Sequence, residues 1–231
     1  MSEELEKNAI LKNDFISNVS HELKTPLSVI KTYVTALEGE NDPELQRSYT
    51  DTVRRATDRL SDLVTNILKL TKLENETLGV EYSSFALEEV LAEALLGFEQ
   101  KIEDKELEVD FEVEGGNVYS AKGYLDIIFT NIISNAIKFT GNGGKITVLG
   151  RLRSGNAIVE ISDTGIGIDK SAGARIFEKF YQADASHAAE GNGLGLALVK
   201  RAIDILGGDI TVSSELGVGT KFTVTLRGVA G

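Results

Sequence analysis

The first 75 residues contain one glycine, Gly39, and the chain's two prolines, Pro26 and Pro43, and their apolar side chains recur in steps of three and four. Leu11, Phe15, Val19, Leu23, Leu27, Ile30, Val34 and Leu37 form one run, and Val53, Ala56, Leu60, Leu63, Ile67 and Leu70 form a second. A helix turns roughly 100° per residue, so this spacing lines one face of each of two amphipathic, coiled-coil-like helices. Between the runs, Gly39-Glu-Asn-Asp-Pro43 supplies a stop, a turn and a restart. Asp42 is placed as an N-cap, and Pro43 falls at the first helical position, where its missing N–H costs nothing. The expectation is an antiparallel helical hairpin over residues 1–78. Two helices bury little by themselves, so a symmetric homodimer forming a four-helix bundle is the simplest cover for both seams. A helical subdomain packed on the rest of the same chain is the alternative.

From about Gly79 the pattern changes. Strand-like segments (Leu107–Val113, Lys145–Arg153, Ala157–Asp163, Asp209–Ser213, Lys221–Leu226) alternate with helical ones (Leu87–Ile102, Lys122–Phe139, Leu194–Leu206), and nearly all the glycines lie here. This mixture predicts an α+β chain, in which residues 79–231 form an α/β sandwich with helices on one face of a mixed sheet. Hydrophobic residues at 42% and charged residues at 26% fit a folded rather than a disordered protein. A net charge of −12 disfavours nucleic acid and anionic membrane surfaces as partners. No apolar stretch approaches the roughly 18–20 residues of a membrane span, and the charged N-terminus lacks a signal-peptide core. The absence of cysteine removes disulfides and thiolate metal sites and fits the cytosol, and two histidines cannot build a histidine-rich metal site.

The segment Phe15-Ile-Ser-Asn-Val-Ser-His21-Glu-Leu-Lys-Thr-Pro-Leu27 carries the first chemical signal. On a helix, His21 lies roughly 160° from both Val19 and Leu23, so it points away from the apolar seam. An outward imidazole is reachable by a nucleotide and by a second protein, and it is neutral over much of the physiological pH range. Glu22 is placed to take a ring proton while the other nitrogen attacks. Pro26 cannot donate to the Glu22 carbonyl, which predicts a bend beside His21. A zinc-protease H-E-x-x-H reading fails because position 25 is Thr. The segment resembles the H-box of sensor histidine kinases. That resemblance implies that His21 is a phosphoacceptor, Glu22 its general base, and Thr25 the residue that positions water when the partner is dephosphorylated.

No Walker A loop is present: Phe139 stands five residues before Gly144-Lys145, and Ile146 replaces Ser/Thr. Four other pieces can hold a nucleotide. Asn131, Asn135 and Lys138 stack on one helical face, where amide oxygens suit a hard cation and an ammonium suits phosphate. Asp163 ends a strand on the face of Val159 and Ile161, where a carboxylate needs a donor such as an exocyclic amine. Gly165 and Gly167 follow it and let the chain turn closely. Gly191-Asn-Gly193-Leu194-Gly195-Leu196 opens a helix and offers backbone N–H groups to phosphates. Ile176-Phe-Glu-Lys-Phe-Tyr181 reads as an aromatic anchor for a polar stretch running to Glu190, read as a lid. His187 within that stretch reads as a solvated loop residue.

In order and spacing these pieces resemble the N, G1, F and G2 boxes of the ATP-binding fold shared by histidine kinases, DNA gyrase, the MutL repair proteins and the large heat-shock chaperone. Gly217-Val-Gly219-Thr220 is similar to a further glycine motif of that fold. The resemblance implies that ATP is bound with Mg²⁺ on Asn135, with Asn131 and Lys138 at the phosphates and Asp163 at adenine. Gly165, Gly167, Ile168, Tyr181, Gly191, Gly193, Leu194, Gly195 and Leu196 complete the implied cofactor site. Gln182 departs from the pattern, since many members carry arginine there, which leaves open whether Lys179 or Arg175 supplies a phosphate contact. The implied activity is autophosphorylation of His21 and transfer to an aspartate of a response regulator receiver domain, with phosphatase activity as a further possibility. Members of the family are often membrane-anchored, so a cytoplasmic portion of such a protein is the expected location. Two other readings stand beside it: an ATP-driven conformational machine, and a binding-only scaffold.

Overall fold

The protein is described by a computed structural model covering residues 2–75, 81–182 and 191–228, with side chains from Asn13 onward except Ala174. The two apolar runs form α1 (Ser2–Leu37) and α2 (Pro43–Asn75). In the turn between them, Glu40 Oε1 accepts the N–H groups of Asn41 and Asp42, both at 2.9 Å. Asp42 Oδ1 accepts the N–H of Glu44 at 2.8 Å, so the cap and the Pro43 start fall where the sequence places them. α1 continues through Pro26, whose side chain is buried.

Phe15, Val19, Leu23, Ile30 and Leu37 are half-buried on α1, facing Ala56, Leu63 and Leu70, which are buried on α2. The side chain of Leu11 lies outside those described. Leu27 and Val34 depart from the expected seam, being 51% and 44% exposed. The physical reason is that one neighbouring helix covers one line of contact, and an apolar arc wider than that line stays bare.

The rest of the chain begins with β1 (Ser83–Ala86), α3 (Leu87–Leu96), α4 (Glu99–Asp104), β2 (Glu108–Val113) and β3 (Asn117–Ser120). It continues with α5 (Lys122–Phe139), β4 (Lys145–Arg153), β5 (Asn156–Asp163), a 3-10 turn (Gly173–Phe177), α6 (Gly195–Ile205), β6 (Asp209–Glu215) and β7 (Gly219–Leu226). Five strands form a sheet in the order β2-β4-β5-β7-β6, in which β2 and β4 run parallel and the other pairs antiparallel. Ile146, Val148, Val159, Ile161, Phe222 and Val224 alternate onto a buried face, beneath Ile128, Phe129 and Ile132 of α5 and Leu198 and Ala202 of α6. Thr147, Leu149, Ile158 and Glu160 on the other face stay partly exposed. The result is the expected layer of helices on one side of a mixed sheet.

Two details differ from the sequence reading. The expected helix Leu87–Ile102 divides at Gly97-Phe98 into α3 and α4, because glycine is a poor interior helix residue and here closes α3 through its N–H to Glu93 O at 3.3 Å. β1 and β3 pair as a separate two-stranded sheet, and four residues each are too few for an alternation to register.

The hairpin packs on α6. Leu70 and Leu73 share one apolar cluster with Leu198 and Val199, and Arg201 Nε donates to the Leu73 carbonyl at 3.2 Å. The Phe15 ring lies 5.6 Å from that of Phe180, and Lys179 pairs with Glu74. The expected boundary at residues 78 and 79, like the lid stretch with His187, lies outside the described residues. Among the described residues no helix is long and apolar enough to cross a membrane.

Candidate functional site

His21 projects from α1 with its side chain 80% exposed, while Glu22 beside it is only 23% exposed. The ring Nδ1 lies 3.8 Å from Glu22 Oε1, which leaves Nε2 as the nitrogen turned away from the acid. Glu22 Oε2 in turn lies 3.5 Å from Arg59 Nη2 on α2. One turn on, Thr25 Oγ1 donates to the His21 carbonyl at 3.3 Å. Helical spacing places all three candidate residues of the H-box on one stretch of α1, and the neighbouring helix adds the cation.

A cleft of about 780 Å³ opens between α2 and the sandwich. Asn131, Asn135 and Lys138 of α5 line it, as do Asp163, Gly167, Ile168, Tyr181, Gly191, Gly193, Gly195 and Leu196. The sequence elements separated by some 60 residues are thus brought to one hollow. Asn131 Nδ2 donates to Ile127 O at 2.7 Å, and its oxygen lies so near the start of α6 that a Cβ on Gly195 would come within 2.8 Å of it. A Cβ on Gly191 would likewise meet Lys138 Nζ at 2.8 Å, which puts the ammonium against the glycine-rich loop.

Asp163 Oδ1 accepts the N–H groups of Gly165 at 2.9 Å and Thr220 at 3.3 Å. Burial pushes its carboxyl above the ordinary aspartate range, and the two backbone donors pull it partly back. Both bonds fall on one oxygen, so the carboxylate retains capacity for another donor. The turn after it must be glycine: Gly167 has φ +71, and a Cβ there would stand 2.1 Å from Glu215 O.

Two residues of the expected cofactor site lie off the cleft lining. Leu194 is fully buried, and its N–H is taken by Asn192 Oδ1 at 3.1 Å, so it anchors the loop from beneath. Gly165 does not line the cleft, because it is wedged against α5, where a Cβ would lie 2.4 Å from Phe139 O. Gln182 lines the cleft and donates to Gly191 O at 3.0 Å, whereas Lys179 is engaged by Glu74 and Arg175 stacks 4.6 Å from the Tyr181 ring centroid. His21, Glu22 and Thr25 do not line the cleft. Sequence reasoning missed the wall formed by α2, where Arg55, Arg59, Asn66 and Lys69 face the hollow, and Asn66 Nδ2 approaches Asn192 Oδ1 at 3.5 Å.

The helical hairpin matches the family described as the His Kinase A (phospho-acceptor) domain over residues 11–76, and the sandwich matches the histidine kinase-, DNA gyrase B- and HSP90-like ATPases over residues 122–229. The chain belongs to the histidine kinases. This kinase core is 40% identical over 228 residues to drug sensory protein A of Synechocystis sp., covering 91% of this chain and 34% of that one. It is 30% identical to the sensor-like histidine kinase SenX3 of Mycolicibacterium smegmatis, over 93% of this chain and 57% of that one. The kinase core therefore spans about a third and just over half of these relatives. Among solved structures, histidine kinase AdeS of Acinetobacter baumannii superposes with a TM-score of 0.72 at 27% identity, covering 90% of this chain and 97% of that one. Full-length ShkA, solved in complex with AMPPNP, matches with a TM-score of 0.68 at 25% identity, covering 97% of this chain and 46% of that one. The match to the ATPase family makes ATP the nucleotide of the cleft domain.

Proposed function

We propose that this kinase core transfers the γ-phosphoryl group of ATP to His21 and then to an aspartate of a response regulator receiver domain. The observation that carries the reading is an imidazole 80% exposed on the matched phosphoacceptor helix, with an acid 3.8 Å from one ring nitrogen. His21 Nε2 attacks the γ-phosphorus, the bond from phosphorus to the β–γ bridging oxygen breaks and ADP leaves, and the Nδ1 proton passes to Glu22. The cleft supports the other half: Asp163 reads the exocyclic amine of adenine, and Asn131 and Lys138 meet the phosphates. Thr25 serves the reverse task, holding water for dephosphorylation of the partner.

Asn135 is the protein ligand we assign to Mg²⁺. Among the described residues no group of three or more His, Asp or Glu side chains could hold a metal alone. A cation that keeps waters and phosphate oxygens and takes one amide oxygen fits that donor set. When bound it would supply charge neutralisation at the phosphates.

His21 lies off the cleft lining, so transfer requires the sandwich to move relative to the hairpin. We assign the two moving units to residues 1–78 and 79–231, and the reaction to the cytoplasm, where ATP is available. The exposed apolar residues Ile16, Leu27 and Val34 on α1 and Leu45, Val64 and Leu68 on α2 support a homodimer through a four-helix bundle.

The test is incubation with γ-labelled Mg-ATP. The expected product is acid-labile, alkali-stable label on the wild-type chain and none on His21→Gln, which still binds ADP. Undiminished label on His21→Gln would overturn the assignment.

A further inference from the structure

Lys105 follows the last residue of α4 and sends its side chain into the C-terminal end of α5. Its Nζ lies 2.8 Å from Ile137 O, 3.0 Å from Lys138 O and 2.8 Å from Thr140 O. An ammonium has three N–H donors, and all three are spent on the carbonyls that a helix end leaves without partners. The charge also opposes the negative end of the helix dipole. The neighbouring carbonyls are taken as well: Ala136 O accepts Thr140 N at 3.1 Å and Thr140 Oγ1 at 2.6 Å, and Phe139 O accepts Ile166 N at 3.2 Å.

That last bond gives the cap a consequence for the cleft. Ile166 belongs to the turn after Asp163, so the turn proposed to meet adenine rests directly on the end of the helix proposed to meet the phosphates. The backbone of Lys105 is itself held, with its carbonyl accepting Gly143 N at 2.9 Å and its N–H donating to Lys101 O at 3.3 Å. Lys105 is outside the cleft lining, so it touches no part of the space a nucleotide would fill.

We propose that Lys105 is a positioning residue for nucleotide binding: it fixes where α5 stops, and so sets the span between Asn135 and Lys138 on one side and the Asp163–Ile166 turn on the other. This role rests on the reading of the cleft as the ATP site. Without the ammonium, three half-buried carbonyls lose their donor and the last turn of α5 frays, taking Lys138 and the seat of Ile166 with it.

The test uses the full chain with Lys105→Met, Lys105→Gln and Lys105→Arg, and ADP as the probe in calorimetry below the melting transition of each variant. The expected Kd for ADP rises about tenfold in the Met variant, less in Gln, and least in Arg, which keeps the charge but not the convergent geometry. Hydrogen exchange at the Ile166 and Thr140 amides should quicken at least about tenfold in the Met variant, while Val159 and Ile161 in β5 keep their protection. A purely structural role would lower the melting temperature and leave both readouts of the folded protein unchanged. Wild-type affinity in Lys105→Met, or unchanged Ile166 exchange, overturns the role alone. A wild-type chain that binds no ADP overturns the site reading and this role with it. Should the Met variant not fold, the Gln and Arg variants decide, and equal affinity in both at the wild-type value rejects the proposal.

Discussion

Arg59 on α2 reaches across the hairpin to Glu22 on α1, with Nη2 3.5 Å from Oε2. Arg59 also lines the cleft, so one guanidinium stands between the hollow proposed to take ATP and the acid beside His21. The two side chains are 26% and 23% exposed, so solvent screens the pair less than it would on an open surface. The pair holds the carboxylate of Glu22 on the α2 side while its other oxygen faces the ring.

Arg59→Ala is therefore expected to slow autophosphorylation at saturating ATP by about five- to tenfold, consistent with losing roughly 1 kcal/mol of orientation. The KM for ATP should change little. The double-mutant cycle with Glu22→Gln gives the sharper reading. If Arg59 works through Glu22, it becomes silent once Glu22 is Gln. Multiplying defects together with a raised KM would assign Arg59 to the nucleotide instead.

Burial raises the Asp163 carboxyl above its ordinary range, and the direction fixes two pH effects. The folded state holds this proton over a window in which the unfolded chain has already released it. Stability from the group therefore falls as pH rises through that window, and the deficit persists above it. Asp163→Asn keeps an Oδ1 acceptor for Gly165 and Thr220 and removes the buried charge. Its melting temperature at pH 7 should rise by about 2–4 °C. ADP affinity should nonetheless drop about a hundredfold, because an amide presents a donor where the amine of adenine needs an acceptor. The wild type should lose ADP on acidification at a higher pH than a solvent-exposed aspartate would dictate, and the variant should lack that limb.

The parts of this fold that a single sequence reveals are those with a long period. α1, α2, α5 and β4 repeat their spacing over 9 to 36 residues, and their limits agree with the reading closely. β1 and β3 are four residues each and have no period to detect. Within the cleft, Asp163 was legible because strand parity with Val159 and Ile161 already turns it inward. The inward turn of Leu194 is not legible, because a glycine-rich motif marks where backbone can approach a ligand but not which of its side chains turns to the core. The α2 wall of Asn66 and Lys69 was not legible, since which polar face of a surface helix meets a neighbour is set by docking. That docking runs through Phe15, Leu70, Leu73 and Phe180, residues far apart in the chain.

Leu27 and Leu68 are 51% and 65% exposed on the hairpin, with Ile16, Val34 and Val64 exposed beside them. Replacing both Leu27 and Leu68 with Glu should convert the proposed dimer to monomers at micromolar concentration in sedimentation experiments. Charges at a dry seam cost several kcal/mol, which exceeds what a small bundle interface can spare. Far-ultraviolet helicity and ADP binding should survive, because neither residue belongs to the apolar cluster shared with the sandwich. A variant that remains dimeric would place the dimer contact away from this seam and reject the four-helix bundle, and a monomeric wild type would return the alternative in which the hairpin packs only on its own chain.

Asn135 is half-buried in the cleft on the same face of α5 as Asn131 and Lys138. Its assignment to Mg²⁺ separates from a simple hydrogen bond to phosphate by the dependence of binding on the metal. In the wild type, chelation of Mg²⁺ should weaken ATP binding and stop autophosphorylation. In Asn135→Ala, autophosphorylation should fall about a hundredfold or more, and ATP affinity should become the same with and without Mg²⁺. Asn135→Asp sharpens the contrast: it offers the metal a harder ligand while repelling bare phosphate, so its ATP affinity should depend on Mg²⁺ more steeply than the wild type's. If Asn135 instead donates to a phosphate oxygen, the Ala variant keeps the wild-type metal dependence and merely shifts to weaker affinity. Calorimetric titrations of ATP into the three proteins, with and without chelator, distinguish the two roles even where turnover is too slow to measure.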